Sequence, residues 1–141
     1  MRRILIALAV SSVLAGCTDD PIMPGGPCFY TDIPGTATIR TVTPDTSASA
    51  SCPNKVIIIY DFAPDDPTIV DRYRIPSWPD TGRVFLLVNG SNVPDGWAVK
   101  EGMTPGTEHP CLRHEIYRGA CTPVVFEFTE IDTFDWEDYC D

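Results

Sequence analysis

The stretch EHPCLRHEIYRGAC, residues 108–121, puts two histidines and two cysteines within fourteen positions. Imidazole and thiolate are the ligands that zinc and copper prefer, so His109, Cys111 and His114 form a candidate metal set. Cys121 is available as a further ligand from the neighbouring run. The spacing H-x-C-x-x-H is awkward for a flat strand, where His109 and Cys111 share a face and His114 takes the other. The competing reading is structural. Leu112, His114 and Ile116 share a strand face, which makes His114 a packed or rim histidine. Cys111 and Cys121 then become disulfide partners, of each other or of Cys52. The odd number of cysteines leaves one thiol for a metal, but the structural reading is preferred.

Other chemistry is sparse. The chain has no G-x-S-x-G nucleophile elbow, no H-E-x-x-H zinc helix and no Gly-rich phosphate loop. Both histidines lie in one short segment, and a catalytic cysteine would have to be drawn from among disulfide candidates. The chain is therefore read as a non-enzyme without a cofactor. Asp61, Asp65, Asp66 and Asp71 in DFAPDDPTIVD resemble a supply of oxygen ligands for calcium, but they lack EF-hand spacing and read as solvated loop acids. Tyr73 and Trp78 sit in a Pro-rich loop, where aromatic side chains make good partner contacts. Trp97, heading a short strand in DGWAVKEG, reads as a plug in the core.

These residues need a scaffold, and the pattern around them is that of strands. Residues 36–43 (TATIRTVT) are β-branched. Residues 55–63 (KVIIIYDFA) and 83–89 (RVFLLVN) are apolar on both faces, as in central strands covered on two sides. Residues 112–117 (LRHEIY) form a weaker run. In residues 123–131 (PVVFEFTEI), Val124, Phe126 and Phe128 alternate with polar positions, as in a strand with one wet face. No helical repeat is visible, and 14 prolines and 10 glycines punctuate the runs. The expected fold is all-β: a single antiparallel β-sandwich, Ig-like, or a small barrel. Residues 64–82 read as a long loop or lid.

The chain begins MRRILIALAVSSVLAGC, a basic start followed by an apolar run too short to span a bilayer. Leu14-Ala15-Gly16-Cys17 resembles the lipobox of bacterial lipoproteins at all four positions. That resemblance implies cleavage after Gly16, a diacylglycerol thioether on Cys17 and an acylated amine, palmitate being a typical acyl group. Thr18 stands where an aspartate would favour the inner membrane, so the resemblance points to the outer membrane. Residues 1–16 are then a signal peptide, 17–27 a lipidated cysteine with a Pro/Gly tether, and 28–141 the domain.

Loss of residues 1–16 removes Arg2 and Arg3 and no acid, leaving 8 basic and 20 acidic side chains, a formal charge of −12. Such a balance argues against nucleic acid and suits a basic partner. Five cysteines follow Cys17: Cys28, Cys52, Cys111, Cys121 and Cys140. In an oxidising compartment at most two bridges form and one thiol is left over. A Cys140–Cys28 bridge would join the chain ends.

The function expected from these features is that of an outer-membrane lipoprotein facing the periplasm or the cell surface. Its domain would be a non-catalytic binding or structural module with an envelope protein as partner. The alternatives are a metal-binding periplasmic protein using residues 109–121 and an inhibitor of a basic enzyme such as lysozyme.

Overall fold

A computed structural model describes residues 27–69 and 80–140. The signal segment, Cys17 and most of its tether, Asp71, Tyr73 and Trp78 lie outside the described residues. The elements run β1 (Phe29–Pro44), β2 (Lys55–Pro64), β3 (Arg83–Phe85), β4 (Val93–Pro94), α1 (Asp95–Lys100), β5 (Glu108–Arg118) and β6 (Val124–Phe128). A 3-10 turn follows at Trp136–Tyr139.

The fold is all-β, and its strands belong to one antiparallel sheet in the order β3-β2-β1-β5-β6, with β4 also paired to β2. In a flat sheet β3 and β6 would lie about 19 Å apart, four strand spacings of roughly 4.8 Å. Yet the rings of Phe85 on β3 and Phe128 on β6 meet edge to face with centroids 5.0 Å apart. The sheet is therefore curled into a half-barrel, and its concave side holds the core. Of the two expected architectures, this is the barrel-like one.

Strand β1 is long because it serves two partners at staggered positions. It pairs with β5 over residues 29–38 and with β2 over residues 35–44. A bulge between Ile39 and Thr41 changes which side chains face inward. Before it Ile33, Ala37 and Ile39 are buried; after it Val42 packs against the core. One extra residue thus keeps both halves of the strand apolar on the concave side and adds the twist that curling requires. Gly35 occupies a position where a Cβ would lie 2.3 Å from the Ala63 carbonyl and 2.6 Å from the Phe62 ring. Only a residue without a side chain lets that ring cross the strand.

Several expectations are corrected. Strands β2 and β3 are covered on one side, not two. Val56, Ile58, Tyr60 and Phe62 are buried, Ile57 and Ile59 are half-buried, and Val84, Leu86 and Val88 are exposed. The run at 83–89 ends as a strand at Phe85, where β2 no longer pairs with it. Trp97 is a fully buried plug, as expected, but it sits in helix α1 rather than at the head of a strand. Its ring stacks on Phe85, 5.9 Å between centroids, and its Nε1 donates to Asp135 Oδ1 at 2.9 Å.

The disulfides differ from every pairing anticipated. Cys28 joins Cys121 and Cys52 joins Cys140, while Cys111 is the free thiol and is buried. Cys111 lies on the concave side of β5, opposite Gly35 and Phe128, whereas Cys121 lies beyond the end of the strand. The extended run of β5 beyond Cys111 keeps the two apart.

Candidate functional site

Strand β5 carries the residues that drew notice in the sequence, and its pleat divides them. His109, Cys111, Arg113 and Glu115 face the concave side; Leu112, His114 and Ile116 face outward. Leu112, His114 and Ile116 do share a face, but it is the outer one, where all three are half-buried and His114 is a rim rather than a core histidine. The buried face contains an arginine, which made it look like the wet one.

That arginine is the centre of a polar cluster. Arg113 and Asp80 both have fully buried side chains. Arg113 Nε donates to Asp80 Oδ2 at 2.5 Å, and its Nη1 donates to Glu115 Oε2. Arg83 donates to Asp80 Oδ1 through Nε at 3.0 Å and through Nη2. The Asp80 carbonyl accepts the Phe62 N–H at 2.9 Å, which ties the segment entering β3 to β2. Arg83 also lies over the Phe126 ring, 5.5 Å from its centroid. Among the described residues, two guanidinium groups and two carboxylates thus pair with one another on the concave side. A buried charge is tolerable only when paired and hydrogen-bonded in this way.

Two titratable groups line the same interior. Burial pushes the Tyr60 hydroxyl upward, and the neighbouring Cys111 adds to the shift while Arg83 opposes it. Burial likewise pushes the Cys111 thiol up to about 12. Burial thus favours the protonated form of both groups. The cluster is arranged to hold elements together: it joins β5 to β2 and β3 across the concavity. Sequence reasoning missed all four of its charged residues. The one signal was the Asp80/Arg83 spacing; Arg113 finds its partner 33 residues away.

The proposed metal set does not assemble. His109 stays on the concave side, with Nε2 3.3 Å from Thr107 Oγ1 and its ring 6.1 Å from that of Phe128. His114 points outward, where Nδ1 is 2.7 Å from Asp32 Oδ1 and Nε2 is 3.1 Å from Glu127 Oε2. The sulfur of Cys121 is bonded to Cys28. Among the described residues, no group of three or more His, Cys, Asp or Glu side chains is placed to hold a metal ion. Nor do the described aspartates of 61–71 converge. Asp61 pairs with Arg40 at 3.0 Å and accepts the Gly82 N–H, and Asp66 accepts bonds from Thr68 in its own turn.

At the opposite end of the sheet a shallow cleft lies against the Cys52–Cys140 bridge, lined by Ser49, Ser51, Lys55, Trp136 and Glu137. Lys55 Nζ stands 5.7 Å from the Trp136 ring centroid and partly fills it.

Compared with known proteins, the chain matches no family model, no curated protein and no solved structure.

Proposed function

We propose that this protein is an outer-membrane-anchored lipoprotein whose domain serves as a non-catalytic binding or structural module of the cell envelope. The observation that carries the reading is the LAGC sequence at residues 14–17, eleven positions before a disulfide-locked domain begins at Cys28. Two bridges, one near each end of the domain, support folding in an oxidising compartment. The mutual neutralisation of Asp80, Arg83, Arg113 and Glu115 supports a scaffold role for the interior. The partner would then be met on the surface, and a charge of −12 suits a basic envelope protein.

The test is expression of the full chain in a Gram-negative host with labelled palmitate, followed by membrane fractionation. The expected result is label in the outer membrane, lost together with membrane association in Cys17→Ala. An unlabelled chain whose fractionation is unchanged by Cys17→Ala would end this reading. Crosslinking in the envelope then identifies the partner.

The same charge favours a second reading, an inhibitor of a basic enzyme such as lysozyme. It requires binding at low salt that weakens as salt screens the charges. No binding to lysozyme at low salt would remove that enzyme as the target.

A further inference from the structure

We infer that the end of the half-barrel carrying Cys28, Phe29, Tyr117 and Arg118 is a docking surface for the phospholipid bilayer. The inference rests on the lipid anchor at Cys17. Ten backbone steps separate Cys17 from Pro27, where the described domain starts, and a fully extended chain of that length spans at most about 35 Å. Strand β1 alone, sixteen residues, would run about 50 Å if straight, a length that its bulge and the curl of the sheet reduce. The tether is short and enters at the Cys28 end of β1, so that pole is the one held nearest the lipid.

That pole has the chemistry of a membrane interface. Phe29 is 39% exposed and Tyr117 66% exposed, and their rings lie 6.1 Å apart. Arg118 stacks over Phe29, 5.6 Å from the ring centroid, its guanidinium placed to meet a headgroup phosphate. Aromatic rings with a polar or cationic edge settle at the headgroup level of a bilayer. The rim of the pole itself is free of acids, the nearest on β1 being Asp32, which is paired with His114. Residues 27–31 and 117–123 contain no acid, and Arg118 is their one charged side chain, in a chain of net charge −12 after cleavage. Every residue from 117 to 123 is exposed. The Cys28–Cys121 bridge and the Tyr30 hydroxyl bond to the Thr122 carbonyl, 3.0 Å, hold this loop against the start of β1. The patch is therefore presented as one rigid surface beside the point where the tether enters.

The experiment uses the full lipid-modified chain in phospholipid vesicles that contain brominated lipids, which quench nearby tryptophan. Tyr117→Trp places a reporter at the proposed surface. Val88→Trp places one at an 85% exposed position near the opposite pole. Each is read as the emission gained over the parent chain, after non-reducing mass has verified both bridges. The expected result is quenching about twofold or more greater for Tyr117→Trp. Adding Phe29→Ala and Arg118→Glu to Tyr117→Trp should bring it down to the Val88→Trp level. Equal quenching at the two positions in protein that floats with the vesicles overturns the docking while leaving the anchor intact. A chain that does not float and carries an unmodified Cys17 overturns the anchor reading itself, and the docking with it.

Discussion

Asp80 and Arg113 set the energetic stakes at the scale of single residues. Their pairing contributes little beyond what apolar neighbours would, because desolvating two charges costs about what their attraction returns. Breaking the pair is another matter. Asp80→Ala removes the carboxylate that Arg113 and Arg83 share, leaves Arg113 its contact with Glu115, and should lower the unfolding free energy by about 3 kcal/mol in urea titration. Replacing both partners, Asp80→Leu with Arg113→Met, should recover part of that loss. If the single substitution costs no more than an exposed one, the cluster does not hold β5 to β2 and β3. Cys111 gives a second check. Its burial and upward-shifted thiol predict no reaction with an aromatic disulfide reagent in the native lipid-modified chain. One reactive thiol should appear on denaturation without reductant.

Packing between elements turns on Gly35 and Trp97. A Cβ at Gly35 would collide with the backbone of β2, so Gly35→Ala should destabilise by about 1–3 kcal/mol, measurable as a lower urea midpoint at an unchanged slope. The strands themselves were partly legible: β2, β6 and the second half of β1 fall where β-branched and aromatic runs fall, whereas residues 29–35 of β1 gave no such run. Helix α1 was not, because six residues make fewer than two turns and offer no period to read. It exists because Trp97 fills the space above Phe85, with Asp95 in its first turn and Lys100 in its last complementing its dipole. The faces of β2 and β3 were misjudged for a related reason. Ile57, Ile59, Val84 and Leu86 look like core residues in a run of apolar types, but a half-barrel has only one inside.

For the whole molecule, acid should act through carboxylates that the fold has bound to partners. Asp135 is held below its ordinary value of 3.8 by Lys100 and, secondarily, by the Trp97 indole. Asp45 is held below 3.8 by Asn92 and Ser47. A carboxylate whose folded value is depressed stabilises the fold fully above its unfolded value. It surrenders that stability as pH falls through the folded value. Stability should therefore decline as pH drops below about 4, and Asp45→Asn with Asp135→Asn should flatten that decline. Both groups are half-buried and still reached by solvent, so the effect should also shrink in salt. An acid limb of the same steepness in the double variant would assign the decline to other carboxylates. The bonds at stake fix the two ends of one assembly: Asp135 ties the C-terminal segment to α1, and Asp45 ties the end of β1 to the approach to β4.

The amino-acid sequence by itself determined the all-β class, the strand-forming runs and the presence of one cysteine more than two bridges can use. These follow from local alternation, turn residues and counting, none of which needs a distant partner. Tertiary structure decided which cysteine stays free, which face of β5 is buried and where His109 and His114 point. Each of those depends on what lies across the sheet or across the concavity. Arg113 is buried because Asp80 meets it, and Cys111 is free because curling places it against Gly35 and Phe128, away from Cys121. A charge reads as surface until its counter-charge is found, and the counter-charge here is 33 residues away.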